Sequence, residues 1–197
     1  MYEVILASGS PRRKEILEQI GVAFRIVTSD KEEVMKDEDP AGLVKDLSRM
    51  KAKDVALKIG AESIIIGADT VVAHKAKVLG KPKSREEAIQ MIESFQGDSH
   101  EVYTGVCIII KDAEGKEQEI NFAKATKVNV CPMTRSQIEE YVDTKEPMDK
   151  AGAYAIQGKF APYIAGIEGD YYNIVGFPIS AVYQSLLEIG IDLKNLR

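Results

Sequence analysis

The sequence has few cysteines and no long apolar segment. Its two cysteines, Cys107 and Cys131, form no C-x-x-C pair and lie in apolar, strand-like runs. We expect buried free thiols there, with a disulfide as the alternative. No apolar run approaches the ~20 residues that span a bilayer, and Glu3 and Ser8 interrupt the short apolar start. The sequence therefore predicts a cytoplasmic protein without a signal peptide or a membrane segment.

Basic residues are fewer than acidic ones. The 197 residues include 26 Lys and Arg against 31 Asp and Glu, and the net charge of −5 argues against a general nucleic-acid binder. A small phosphorylated ligand needs only one local basic pocket. The P-loop, dinucleotide-binding and G-x-S-x-G motifs are absent, and His74 and His100 match no metal-ligand spacing.

The mixture of predicted elements indicates the fold class. Apolar runs predict strands at 24–27, 63–67, 102–110, 120–130 and 163–167, and helical spacing predicts helices at 40–59, 85–97, 134–144 and from 178 onward. Ser84 and Thr134 each begin a capping-box pattern. Strands and helices do not alternate strictly, which favours a single α/β or α+β domain on a mixed sheet, with two lobes.

The N-terminus predicts a strand, a tight turn and a helix. An apolar run precedes the segment Ser8-Gly9-Ser10-Pro11-Arg12-Arg13, in which Ser10 can cap the helix and Pro11 suits its first turn. A helix start carries unpaired N–H groups and partial positive charge, and two arginines add to its attraction for anions. The turn at residues 8–13 is therefore a candidate phosphate site, with Arg12 and Arg13 as plain surface residues as the alternative.

Other candidate residues occur further along the chain. Asp69 is predicted to lie where the buried strand at 63–67 ends, where it could act as a general base, bind Mg²⁺, or simply form a turn. Lys81, in a constrained Gly80-Lys81-Pro82 turn, could neutralise a phosphate or be an exposed loop lysine. The acidic segment at 30–39 is either a solvated loop or the source of a metal ligand.

Ordered blocks along nearly the whole chain resemble the Maf family of nucleoside triphosphate pyrophosphatases. The resemblance rests on Lys51 and on residues 7–13, 29–33, 67–72, 79–82, 100–106, 149–158 and 168–178. It implies an inosine triphosphatase-like fold, in which a long twisted mixed sheet and flanking helices surround a central cleft. It also implies a homodimer that uses Mg²⁺ or Mn²⁺ to hydrolyse a nucleoside triphosphate to the monophosphate and pyrophosphate. Residues 153–158 resemble the subgroup that acts on dTTP and UTP.

The same resemblance implies roles for individual residues. Asp69 matches the proton acceptor, and substrate choice is associated with Arg12, Thr70 and Gln157. The expected cation ligand is Glu33 or Asp69, with Glu32 as an alternative to Glu33, so Asp69 either takes the proton of the water or binds the cation. Further positions that line the site are Ser8, Arg13, Lys51 and Lys81, and we expect the two lysines to come from the lobe opposite the 8–13 turn.

Two other classes of function share the predicted phosphate site. One is a regulator of cell division that binds a nucleotide without hydrolysing it, which would not need Asp69. The other is a phosphosugar or small-ester hydrolase, which would release phosphate from different substrates.

Overall fold

The computed structural model describes residues 2–33 and 39–196. Its strands are β1 (Glu3–Leu6), β2 (Arg25–Ile26), β3 (Ser63–His74), β4 (Lys77–Leu79), β5 (Ser99–Lys111), β6 (Glu117–Val130) and β7 (Ile164–Glu168). Its α-helices are α1 (Pro11–Gln19), α2 (Pro40–Ala56), α3 (Arg85–Phe95), α4 (Arg135–Asp143), α5 (Tyr171–Val175) and α6 (Ile179–Leu187).

The strands form a mixed sheet. Within the described residues its order is β2-β1-β3-β5-β6-β7, with β4 paired to β3. β1 is parallel to both β2 and β3, whereas β4 is antiparallel to β3 and β7 is antiparallel to β6. The prediction of a mixed sheet with flanking helices is therefore confirmed.

The chain divides into two compact units. Unit 1 contains residues 2–33, 39–69, 104–124 and 176–196 of the described chain, and unit 2 contains residues 70–103 and 125–175. The chain first passes from unit 1 to unit 2 between Asp69 and Thr70. The arrangement of two lobes around a cleft stays a prediction from the sequence.

The register of β1 against β3 brings the 8–13 turn towards Asp69. Leu6 is the partner of Ile66 in this parallel pair, and the N–H of Ala7 donates to the carbonyl of Ile66 at 2.8 Å. β1 ends at Leu6, whereas β3 continues through Asp69. The turn therefore leaves the sheet beside the part of β3 that carries the carboxylate.

Two glycines allow helix α2 to pack closely on the sheet in unit 1. A Cβ at Gly67 of β3 would lie 2.4 Å from the carbonyl oxygen of Ser48, and one at Gly105 of β5 would lie 2.1 Å from that of Val44. Any larger residue would therefore push the helix away. This close approach brings α2, and with it Lys51, next to β3.

The core of unit 2 contains a cluster of aromatic rings. Phe95 lies 4.6 Å from the ring of His100 and 6.0 Å from that of Tyr154, measured between centroids. Phe160 lies 5.0 Å from both Tyr154 and Tyr141. These buried rings hold residues 146–163, which form only short 3₁₀ turns.

The prediction that β3 ends before Asp69 is wrong. The strand runs on to His74, and Asp69 lies inside it, only 8% exposed. The strand continues because Val71, Val72 and Ala73 are also buried. Asp69 is thus a buried charge within the sheet and not part of a strand-end loop.

Smaller differences concern caps and bounds. Ser10 is the N-cap residue of α1, but its side chain accepts no capping hydrogen bond. Thr134 and Gln137 form the predicted reciprocal capping box. Ser84 caps α3 by accepting from the N–H of Glu87. The carboxylate of Glu87, however, accepts from the N–H of Lys83 and not from that of Ser84, so only half of this predicted capping box forms. β2 and α2 are shorter than predicted, and α5 was not predicted.

Both cysteines are free thiols, as expected. Cys107 is buried, which raises the pKa of its thiol to about 12, whereas Cys131 is only half-buried, contrary to the prediction.

Within the described residues, none of the helices combines the length and the apolar character that a bilayer crossing requires.

Candidate active site

The start of α1 has the geometry expected of an anion site. β1 ends at Leu6, and the helix begins at Pro11 after an N-cap residue with extended backbone angles. The first backbone hydrogen bond of the helix runs from the N–H of Lys14 to the carbonyl of Ser10 at 3.2 Å. The N–H of Ser10 donates to Oγ of Ser8 at 3.3 Å, and the helix dipole favours negative charge at this end.

Arg13 supports this turn from inside the protein. It is only 9% exposed, and its Nη1 donates to Oγ of Ser8 at 2.8 Å while its Nε donates to the carbonyl of Gly176 at 2.9 Å. Burial lowers the pKa of the guanidinium, an effect that the negative charge of Asp69 opposes. The hypothesis that both arginines are plain surface residues is therefore wrong for Arg13.

Arg12 has a different environment. It is half-buried, and within residues 2–33 and 39–196 its guanidinium makes no hydrogen bond or ion pair. Guanidinium groups bind phosphate oxygens through paired N–H donors. The two adjacent arginines thus differ in environment, because Arg13 is buried and braces the turn, whereas Arg12 is half-buried.

In unit 1 the side chain of Lys51 contacts two carboxylates, those of Asp69 and Glu33. The Nζ of Lys51 lies 2.5 Å from Oδ1 of Asp69 and 2.7 Å from Oε1 of Glu33. The Lys51 and Asp69 side chains are 16% and 11% exposed, whereas that of Glu33 is 49% exposed. The expectation that Lys51 comes from the opposite lobe is wrong, because Lys51, Asp69 and the 8–13 turn all belong to unit 1.

Asp69 is a buried carboxyl group with charged neighbours. Burial raises the pKa of its carboxyl group above the ordinary value, against the lowering effect of Lys51 and Arg13. A carboxylate of raised pKa accepts a proton more readily than an exposed aspartate does. A buried, charge-partnered carboxylate of this kind is typical of a functional site.

The two carboxylates also fit a divalent cation. No group of three or more His, Cys, Asp and Glu side chains in the described part of the chain could hold a metal by itself. Mg²⁺, however, commonly binds one or two carboxylates and completes its coordination with substrate phosphates and water. Glu33 and Asp69 supply such oxygens, and the Lys51 ammonium between them is a positive charge already held at that position.

The rest of the acidic segment has other roles where it is described. Asp39 caps α2, and Asp30 pairs with Lys58 at 2.8 Å. Glu32 is exposed, and it is Glu33 that contacts Lys51. Asp37 and Glu38 lie outside the described residues.

Unit 2 contains the three remaining predicted residues. Thr70 follows Asp69 in β3 and is half-buried, and the side chains of Lys81 and Gln157 are exposed. The structure links the segments of Lys81 and Gln157, because the N–H of Gly152 donates to the carbonyl of Gly80 at 3.0 Å. Gly152 needs its positive φ of 68°, and a Cβ there would lie 2.8 Å from Val72.

The residues that support Gln157 belong to no motif that the sequence shows. Both carboxylate oxygens of Glu146 accept from the N–H of Lys159 at 3.0 Å, and Tyr141 donates to the same carboxylate at 3.0 Å. Glu146 thus holds the backbone just after Gln157, and no feature of its own sequence context indicates this contact. His100 Nε2 lies 2.7 Å from the hydroxyl of Tyr154, and both residues belong to blocks that carry the family resemblance.

Comparison with known proteins gives a family and several relatives. Residues 3–189 match the model of a family described as Maf-like protein. A protein of Lachnoclostridium phytofermentans named dTTP/UTP pyrophosphatase is 50% identical over 193 residues, covering 98% of each chain. Proteins of the same name from Agathobacter rectalis and Bacillus anthracis are 43% and 44% identical, over 98% and 99% of this chain and 100% of theirs.

Solved structures with a similar outline are distant in sequence. The Ham1 protein of Staphylococcus aureus is 11% identical, with a TM-score of 0.47 over 96% of this chain and 100% of that one. A nucleoside-triphosphatase (dITP/XTP pyrophosphatase) of Mycobacterium abscessus is 12% identical, with a TM-score of 0.42 over 95% and 97% of the two chains.

Proposed function

The chain belongs to the Maf-like protein family, and we propose that it hydrolyses dTTP and UTP to the monophosphate and pyrophosphate. Relatives that match it over nearly their whole length at 43–50% identity carry the name dTTP/UTP pyrophosphatase. The observation that supports this function most strongly is the buried Asp69, paired with Lys51 in the unit that also contains the 8–13 turn.

The triphosphate binds at the turn that precedes α1. The positive end of the helix dipole and the guanidinium of Arg12 attract phosphate oxygens, while Arg13 holds Ser8 in place and adds positive charge. Lys51 supplies a further positive charge from α2. Such fixed positive charges stabilise the negative charge that develops as a phosphoryl bond breaks.

Asp69 is the proton acceptor of the reaction. Its carboxylate takes a proton from a water molecule as the water oxygen bonds to the α-phosphorus. The bond between the α-phosphorus and the bridging oxygen breaks, and pyrophosphate leaves with the electron pair. The raised pKa of Asp69 suits this transfer, because it makes the carboxylate a stronger base than an exposed aspartate.

A divalent cation, Mg²⁺ or Mn²⁺, belongs to the same proposal. Glu33 and Asp69 would hold it through their carboxylate oxygens, a donor set that suits a hard cation sharing its coordination with phosphates. When bound, it would neutralise phosphate charge and lower the pKa of a bound water.

We assign recognition of the base to Gln157. The side-chain amide of Gln157 offers both a donor and acceptors, which suits uracil and thymine because their N3–H and carbonyl groups need both. Thr70 and Lys81 are the other positions that we assign to substrate binding in this unit. Glu146, through the backbone of Lys159, keeps the Gln157 segment in a fixed conformation.

The experiment that tests the function is a substrate panel. The purified protein is incubated with dTTP, UTP, CTP, GTP, dATP and a phosphosugar in the presence of Mg²⁺ or Mn²⁺, and pyrophosphate and phosphate are measured separately. We expect pyrophosphate from dTTP and UTP in clear preference to the other substrates. Nucleotide binding without hydrolysis would favour the division regulator, and phosphate release from the phosphosugar would favour the ester hydrolase.

Two further properties complete the proposal. The protein is a homodimer in the cytoplasm, with no nucleic-acid or membrane partner. Light scattering at several concentrations tests the dimer, and cell fractionation tests the location. A monomer at all concentrations, or recovery with the membrane fraction, would contradict these assignments without affecting the proposed reaction.

A further inference from the structure

The Lys51 ammonium lies where it neutralises both carboxylates of the proposed cation site. Its Nζ is within hydrogen-bonding distance of an oxygen of Asp69 and of an oxygen of Glu33. Both contacts involve the same nitrogen, so the one positive charge of Lys51 is shared by two carboxylates. A divalent cation that used the same oxygens would have to take them from this ammonium.

The fold holds Lys51 in this position. The residue lies on α2 between Ser48 and Ala52, and a Cβ on Gly67 would lie within 3.0 Å of atoms of both. The absence of a Cβ at Gly67 therefore lets α2 pack directly on β3, which brings Lys51 to Asp69. With the Lys51 side chain only 16% exposed, water screens the ion pair less than it would at the surface.

We propose that Lys51 competes with the divalent cation for Glu33 and Asp69, so that the nucleotide-free protein binds the cation weakly. The triphosphate removes this competition, because its oxygens offer the ammonium other negative partners and offer the cation further ligands. Substrate and cation then bind together, and the cation does not occupy the site in advance. This inference rests on the proposed function, since it assigns Glu33 and Asp69 to the cation of that reaction.

The geometry also indicates which lysine has this effect. Lys53 lies two residues further along α2, but it faces Glu119 at 3.4 Å and is 51% exposed. Both lysines carry the same charge on the same helix, and only Lys51 contacts the two carboxylates. A long-range effect of net charge would make them equivalent, whereas direct competition would not.

The test is the binding of Mn²⁺ alone to the nucleotide-free protein. The dissociation constant is measured by the electron paramagnetic resonance signal of free Mn²⁺ for the wild type, Lys51→Met, Lys51→Arg and Lys53→Met. We expect Lys51→Met to bind Mn²⁺ at least ~10-fold more tightly than the wild type, because a positive charge in contact with both ligands has been removed. Lys51→Arg, which keeps the charge, and Lys53→Met should stay within about twofold of the wild type.

A double variant locates the bound ion. Adding Glu33→Gln to Lys51→Met should abolish the gain, because one of the two carboxylates is lost. Equal gains in Lys51→Met and Lys53→Met, or no gain in Lys51→Met, would overturn the proposal. Circular dichroism verifies the fold of each variant, and Lys51→Gln replaces Lys51→Met if the latter does not fold.

The outcome can be separated from the proposed function. Wild-type hydrolysis of dTTP without tighter Mn²⁺ binding by Lys51→Met would overturn the competition and leave the function standing. Absence of hydrolysis in the substrate panel would overturn the function, whatever the Mn²⁺ affinities are.

Discussion

The guanidinium of Arg13 donates to the hydroxyl oxygen of Ser8 across 2.8 Å, five residues back along the chain. This bond closes the turn between β1 and α1 from its buried side, and a second bond to the carbonyl of Gly176 fixes the guanidinium in place. The guanidinium of Arg12, the residue just before Arg13, makes no comparable hydrogen bond among the described residues. Arg13 therefore holds the turn, whereas we propose that Arg12 binds the ligand, and variants of the two residues should behave differently.

Replacement of Arg13 by lysine keeps the charge but loses the geometry of the two hydrogen bonds. We expect Arg13→Lys to lower the free energy of unfolding by about 2 kcal/mol, since Ser8 and Gly176 lose a buried donor. Urea denaturation measures the change. Arg12→Lys is the matched control and should alter stability by less than about 0.5 kcal/mol. Equal effects of the two variants would contradict the bracing role of Arg13.

Arg12→Ala should affect substrate binding and not folding. Its guanidinium makes no bond within the described residues, so its loss should leave the free energy of unfolding almost unchanged. We expect KM for dTTP to rise about 10-fold or more, because charge-assisted bonds to phosphate are lost, and the ratios of kcat/KM among dTTP, UTP and CTP to change. Steady-state kinetics measures both. An unchanged KM would exclude phosphate binding by Arg12, and unchanged ratios would exclude its role in substrate choice.

Gly67 controls the distance between α2 and β3. In Gly67→Ala the new Cβ would meet the carbonyl oxygen of Ser48 at 2.4 Å, so the helix must shift. We expect a loss of about 1–3 kcal/mol in stability, together with a fall in kcat because Lys51 moves relative to Asp69. Gly60→Ala is the matched control: a Cβ there meets nothing within 4 Å, and stability should hold or rise slightly. Similar losses in the two variants would contradict the packing argument.

His100 should make stability depend on pH. Burial lowers its pKa to about 4 from the ordinary 6.5, so the folded protein resists the protonation that the unfolded chain accepts. The contribution of His100 to the free energy of unfolding is fully present above its pKa in the unfolded chain. This contribution is lost as the pH falls towards its pKa in the folded protein. We expect the unfolding free energy to fall by about 3 kcal/mol over this window on account of His100.

The variant His100→Gln tests this assignment. Glutamine can keep a hydrogen bond to the hydroxyl of Tyr154 but does not titrate. Urea denaturation at several pH values should therefore give a shallower fall for the variant between pH 6.5 and 4. Parallel curves for the two proteins would show that other groups cause the acid sensitivity.

Most of the fold could be predicted because its signals are local. Apolar runs located the long strands, and the Thr134 capping box located the start of α4. The course of β3 past Asp69 could not be predicted in this way. A carboxylate inside a buried strand needs a positive partner, and that partner, Lys51, is 18 residues away on a helix. Periodicity contains no information about such a contact.

The candidate site shows the same limit. The resemblance named Ser8, Arg13 and Lys51 as lining residues, but it did not distinguish a brace from a ligand contact. That distinction depends on burial and on hydrogen-bond partners, such as the bond from Arg13 to the carbonyl of Gly176, 163 residues along the chain. Glu146 could not be predicted for a similar reason, because it acts by accepting a hydrogen bond from the backbone N–H of Lys159, a contact that no motif indicates.

The central claim is that Asp69 performs the chemistry of a dTTP and UTP pyrophosphatase. The most direct measurement compares pyrophosphate release from dTTP by the wild type and by Asp69→Asn, with circular dichroism to verify the fold. Asparagine keeps the shape of the side chain but removes its charge and basicity, so we predict a loss of at least ~100-fold in kcat with folding intact. Near-normal turnover by a folded Asp69→Asn protein would contradict the claim, whether Asp69 is assigned as the base or as a ligand of the cation.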